Sequence, residues 1–198
     1  MPALSLTEQL LTSIQREFPR FRMLPKANSR LCVAIDVLLR GLTFGRLSRF
    51  LSHYHTALGE TLYLAPSWES MCDRDRVILL RHERVHLRQR RRYGSFVMAL
   101  LYLWPILPVG LALGRARLEW EAYEETLIAT AELYGVEALD GSTLKDWLVA
   151  RFVGPDYGYM WPFPNQVAKW YEATKQRIRT RQETLGRNES PMNETRAG

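Results

Sequence analysis

Apolar residues recur at helical spacing near the start of the chain. Four of them fall on one face of a helix: Leu6, Leu10, Leu11 and Ile14. No basic residue precedes them and no continuous apolar run follows. Residues 1–17 are therefore predicted to form an amphipathic helix rather than a signal peptide.

Later patterns predict further helices and one short β element. Strand-forming residues fill positions 54–64, and Pro66 closes the run, which predicts a hairpin or a pair of strands. Helical patterns cover residues 31–42, 73–93, 115–134 and 166–178. The first three end near a glycine, and the last ends where the apolar spacing is lost. We expect Asp73 to N-cap the second of these helices and Gly94 to end it.

Many helices and one small sheet predict an α+β fold that is mostly α. A chain of 198 residues can bury a substantial core as one domain. We place that domain at residues 1–179. From Thr180 onward the composition is polar and without apolar periodicity, so residues 180–198 are predicted to be a disordered tail.

The chain is basic, with a net charge of +6 and a pI of about 9.5. Its most basic stretch, residues 88–92, belongs to no nucleic-acid-binding motif, so no nucleic-acid partner is expected. We interpret the stretch as a solvated helix end, and contact with an anionic membrane surface as the next alternative. Only Cys32 and Cys72 are present, which excludes a disulfide framework and favours a reducing, cytoplasmic location.

The strongest chemical signal is the His-Glu-x-x-His segment at residues 82–86. His82 and His86 are four residues apart on a predicted helix, so both imidazoles leave the same face and can bind one ion. Glu83 lies beside them, where it can reach a water molecule rather than the metal. The pattern predicts a Zn²⁺ site with Glu83 as the general base.

A catalytic zinc site needs a third protein ligand. The next predicted helix after the motif, over residues 115–134, carries acidic residues from position 119 onward. Glu119 is our candidate ligand and Glu121 is its competitor, because Glu125 lies four residues later and could support it. The alternative is a solvated acidic face that balances Arg115 and Arg117.

These two motifs resemble those of the gluzincin metallopeptidases, and most of all those of the prenyl-protease and HtpX-like group. The second motif of that group is Glu-x-x-Ala-Asp. Residues 119–123 match it at Glu119 and Ala122 and depart from it at Tyr123, which stands in place of the aspartate. The similarity covers about residues 77–128 alone. It implies a zincin-like metal helix against a small sheet, and a peptide-aligning edge strand near Thr61 to Leu64.

Residues 95–114 carry no charge, and the length suits a membrane span. A single span would place His86 and Glu119 on opposite sides of the membrane, so it conflicts with a shared metal site. Pro105 and Pro108 favour a turn. We therefore expect an apolar hairpin that is either re-entrant or interfacial in a membrane, or buried in a soluble domain; a single span ranks third.

The function that follows is zinc-dependent hydrolysis of peptide bonds in a peptide or protein substrate. Three residues are candidate hydrogen-bond donors to the reacting oxyanion: His55, Tyr157 and Tyr159. The sequence does not distinguish between them. The alternative is a non-enzymatic, basic protein that associates with membranes or binds metal without turnover.

Overall fold

A computed structural model describes residues 3–26, 55–103, 112–154 and 160–189. The described part is mostly helical with one small sheet, which confirms the α+β, mostly α prediction. The chain divides into two compact units, residues 1–103 and residues 104–198. The single domain over residues 1–179 stays a prediction.

The first unit holds three described helices and three strands. In chain order they are α1 (Leu6–Glu17), β1 (Arg22–Pro25), β2 (Thr56–Leu58), β3 (Thr61–Leu64), a short 3-10 helix (Pro66–Ser70), α2 (Asp73–Tyr93) and α3 (Ser95–Leu103). The predicted amphipathic first helix is confirmed as α1. The helix predicted over residues 31–42 lies outside the described residues.

The sheet has the strand order β1-β3-β2. Strands β2 and β3 form the predicted antiparallel hairpin, in which Leu58 pairs with Thr61 across a two-residue turn. Gly59 occupies the first turn position with φ of +71°, a conformation that glycine adopts without strain. Strand β1 pairs with β3 in parallel and was not predicted. Because β3 is paired on both sides, the expectation that residues 61–64 form a peptide-aligning edge is wrong.

In the first unit, helices α1 and α2 pack against each other, and the core that they share includes Leu62 of the sheet. Their shared core comprises Ile14, Phe18, Phe21, Leu62, Trp68, Leu80 and Leu87. Full burial of one such side chain contributes about 1.5–3 kcal/mol. Because Leu80 and Leu87 anchor α2 in this core, the position of α2 and of its two histidines is fixed within the first unit.

Helix α2 ends at Gly94 as predicted, but Asp73 is not its N-cap. Cys72 takes the cap position and makes no side-chain cap hydrogen bond, while Asp73 is the first helical residue. The carboxylate of Asp73 instead accepts hydrogen bonds from the backbone amides of Leu6 and Thr7, at 2.9 and 3.1 Å. Asp73 therefore caps α1, its neighbour in space.

The second unit contains α4 (Leu113–Tyr134), a 3-10 helix (Val136–Leu139), α5 (Ser142–Val153) and α6 (Pro164–Glu189). Helix α4 ends before Gly135 as predicted, whereas α5 was not predicted. Helix α6 packs on α4 and α5, and the hydroxyl of Tyr171 donates to the carbonyl of Leu139 at 2.8 Å. Because α6 continues to Glu189, the prediction of a disordered tail from residue 180 is wrong for residues 180–189.

The uncharged stretch of residues 95–114 begins as helix α3. The turn expected near Pro105 and Pro108 lies outside the described residues. Among the helices described, none combines the length and apolar character needed to cross a bilayer.

Candidate metal centre

The two histidines of the His-Glu-x-x-His segment converge on one point. Both are buried on α2, with 9% of each residue exposed. Their Nε2 atoms lie 3.2 Å apart. Two imidazole nitrogens bound tetrahedrally to one Zn²⁺ at about 2.0–2.1 Å would be separated by about 3.3 Å. The pair is therefore already spaced as two ligands of one ion.

Gln89 fixes the orientation of one of these imidazoles. Its Oε1 lies 3.0 Å from Nδ1 of His86, and Gln89 itself is buried. A carboxamide oxygen only accepts, so Nδ1 of His86 donates and carries the proton. The lone pair of the neutral ring is then at Nε2, the atom that faces His82. Sequence reasoning missed Gln89, although its place three residues after His86 on the same helical face could have indicated it.

Glu119 joins the two histidines. It lies on α4 with 1% of its surface exposed. One ligand atom from each of His82, His86 and Glu119 lies within 4.8 Å of the other two. This buried group of two imidazoles and a carboxylate could hold a metal ion. Glu121, the competing candidate, is only half-buried and is not a member of the group.

Glu83 is buried on α2 beside the pair, with 9% of its surface exposed. It follows His82 by one residue and precedes His86 by three. An α-helix turns about 100° per residue, so Glu83 leaves the helix roughly 60° around the axis from His86. The carboxylate is thus next to the imidazole face rather than on the opposite side of the helix.

Tyr123, which departs from the family motif, is part of the core of the second unit. Its ring packs edge-on against that of Trp147, with 5.8 Å between ring centroids, and at a tilt against that of Phe152, with 5.6 Å between ring centroids. Only 3% of the residue is exposed. The side chain therefore has a packing role within the second unit.

The arginines within and after the motif have partners within the first unit. Arg84, Arg88 and Arg91 all contact the carboxylate of Glu17 at the end of α1. Hydrogen bonding by Arg88, followed by that of Arg84, lowers the pKa of Glu17 to about 2. Nε of Arg90 donates to Ser95 Oγ at 3.1 Å. These contacts attach the end of α2 to α1 and to the start of α3.

His55 is the candidate oxyanion donor that lies within the described residues; Tyr157 and Tyr159 lie outside them. Nδ1 of His55 accepts a hydrogen bond from the backbone amide of Ala65 at 3.2 Å. Burial, together with the charge of Lys26, lowers the pKa of His55 to about 4. The ring is therefore neutral at physiological pH, with its remaining proton on Nε2.

Comparison of the chain with protein-family models, with curated proteins and with solved structures finds no match. The resemblance to gluzincins thus rests on the two motifs and on the cluster that they form.

Proposed function

We propose that this protein is a zinc-dependent peptidase whose metal is held by His82, His86 and Glu119. The observation that carries the proposal is the convergence of the two buried Nε2 atoms at 3.2 Å, with a buried glutamate in the same cluster. The order of the two motifs along the chain, which resembles that of gluzincins, supports it.

The donor set favours zinc. Imidazole nitrogen suits zinc, copper, iron and nickel, whereas calcium and magnesium prefer oxygen ligands. Two histidines and one glutamate form a known set for catalytic zinc, which leaves one coordination position for a reactant. The proton on Nδ1 of His86 agrees with this role, since it leaves Nε2 available as the ligand atom.

Zinc bound at this site would supply a Lewis acid that makes water acidic enough to react near neutral pH. The carboxylate of Glu83 would accept a proton from the attacking water as the new carbon–oxygen bond forms. Glu83 would then deliver this proton to the nitrogen of the leaving amine as the carbon–nitrogen bond breaks. The products are an amine and a carboxylic acid, which then loses its proton to solvent at neutral pH, and Glu83 returns to its ionised form.

The metal content of the purified full-length chain tests the ligand set. We expect about one zinc per wild-type chain, and a large loss in His82→Ala and in Glu119→Gln, because a site with two protein ligands holds zinc weakly. Glu121→Gln is the matched control on the same helix and should retain the metal. Zinc lost from Glu121→Gln but kept in Glu119→Gln would reassign the third ligand, and absence of zinc from the wild type after reconstitution would refute the site.

Hydrolysis of a mixed peptide library, analysed by mass spectrometry, tests the activity. Glu83→Gln should keep the zinc and lose on the order of 10²–10⁴-fold in rate, the usual contribution of a general base. A wild-type protein that binds zinc tightly but cleaves nothing would favour the alternative, a metal-binding protein without turnover. Cleavage that persists unchanged in Glu83→Gln would exclude Glu83 as the base.

A further inference from the structure

Helix α3 exposes an apolar surface. Phe96 is 82% exposed, Leu100 is 50% exposed and Val97 is 43% exposed. Phe96 and Leu100 are four residues apart and Val97 and Leu100 are three apart, so the three side chains share one side of the helix. Three large apolar side chains grouped on one short helix indicate a binding surface rather than a scattered set of exposed residues.

This apolar surface adjoins a strongly basic one. Between residues 84 and 103 the chain has five arginines and no acidic residue. Arg88, Arg91 and Arg92 lie three and four residues apart on α2 and are exposed. Three guanidinium groups contact the single carboxylate of Glu17, so that cluster keeps a net charge of +2 (three positive charges and one negative).

The two surfaces are held close together. Gly94, with φ of +80°, is the single residue between α2 and α3, and it allows the chain to change direction there. Arg90 donates to Ser95 across this junction at 3.1 Å. The guanidinium of Arg92 lies 5.2 Å from the ring centroid of Tyr93, at the end of α2 that faces the junction.

We propose that α3 and the arginine-rich end of α2 bind the surface of an anionic lipid bilayer. The apolar side of α3 would enter the boundary between headgroups and acyl chains, and the arginines would contact lipid phosphates. In this arrangement α3 lies at the interface, with its exposed apolar side towards the acyl chains. The combination of positive charge with large apolar side chains favours anionic lipid over a protein partner as the occupant.

Flotation of the full-length protein with vesicles tests the proposal. One set of vesicles contains phosphatidylcholine alone and the other contains equal amounts of phosphatidylcholine and phosphatidylserine. We expect at least about tenfold tighter binding to the anionic vesicles. Phe96→Ser/Leu100→Ser should weaken that binding by more than about tenfold, and Arg92→Gln should weaken it about fivefold.

Matched controls come from exposed residues elsewhere in the chain. Leu4→Ser/Leu185→Ser removes two exposed leucines, and Arg181→Gln removes an exposed arginine. Both should bind as the wild type does. Equal vesicle binding by wild type and Phe96→Ser/Leu100→Ser would overturn the proposal. It would also be overturned if the wild type did not float but self-associated in sedimentation equilibrium through Phe96 and Leu100, because the occupant would then be a second copy. Neither readout depends on metal or on peptidase activity.

Discussion

At the residue scale, the orientation of His86 depends on one buried side chain. Gln89 accepts from Nδ1 of His86, and this hydrogen bond selects the tautomer whose Nε2 faces His82. Partners of this kind hold the imidazole rings of metal sites in place and tune the basicity of the ligand nitrogen. Gln89 is therefore a positioning residue for the proposed zinc site.

Gln89→Leu is expected to lower zinc affinity by about 10- to 100-fold, because His86 loses the acceptor that fixes its ring. Competition with a chromophoric chelator measures the zinc Kd. Gln89→Glu keeps an acceptor oxygen at the same place and should restore most of the affinity. An unchanged Kd in Gln89→Leu would show that His86 is oriented without this hydrogen bond.

At the scale of the elements, the start of α1 is stabilised by both its own residues and α2. Ser5 and Glu8 form a capping box, in which the amide of Glu8 donates to Ser5 Oγ and the amide of Ser5 donates to the Glu8 carboxylate. The amides of Leu6 and Thr7 donate to Asp73. Hydrogen bonding by the side chain of Thr7, followed by that of the backbone amides of Thr7 and Leu6, lowers the pKa of Asp73.

Asp73→Ala is expected to lower the unfolding midpoint and to speed hydrogen exchange at the amides of Leu6 and Thr7, since both amides lose their acceptor. Asp73→Asn, which keeps one acceptor oxygen, should fall between Asp73→Ala and the wild type. Asp75→Asn removes a carboxylate from the same turn of α2 and serves as the charge control. Equal exchange rates in Asp73→Ala and Asp75→Asn would contradict a capping role for Asp73.

At the scale of the whole molecule, the ion pairs of Glu17 make folding stability depend on pH. The pKa of Glu17 is lowered from 4.5 to about 2 in the folded protein by its arginine partners. A lowered folded-state pKa means that the carboxylate stabilises the protein above its unfolded pKa. This stabilisation is lost as the pH falls from about 4.5 towards 2.

Glu17→Gln should therefore reduce the free energy of unfolding by about 1–2 kcal/mol at pH 7, because charge-assisted hydrogen bonds to arginine are lost. The difference in unfolding free energy between this variant and the wild type should shrink as the pH falls from about 4.5 towards 2. Urea titrations at several pH values measure this difference. Glu69→Gln, which removes an exposed carboxylate from the same unit, is the control and should track the wild type. A difference that is constant with pH would exclude the ion pairs as its cause.

The sequence by itself determined the elements whose signals are local. Apolar spacing predicted α1 and the first half of α6. Strand formers closed by a proline predicted the β2–β3 hairpin, and glycines placed the ends of α2 and α4. Local spacing also brought His82 and His86 to one helical face. A helix or a hairpin imposes its own periodicity on neighbouring residues, so these features can be recognised without knowing what packs against them.

Only the tertiary structure decided the features that depend on distant residues. Strand β1 exists because it pairs with β3, about forty positions later in the chain. Asp73 caps α1, whose first residues lie 66 and 67 positions earlier in the chain, instead of capping its own helix. Helix α6 persists past the point where its sequence loses apolar periodicity. Hydrogen bonds and burial between remote segments have no sequence period, so the local pattern does not reveal them.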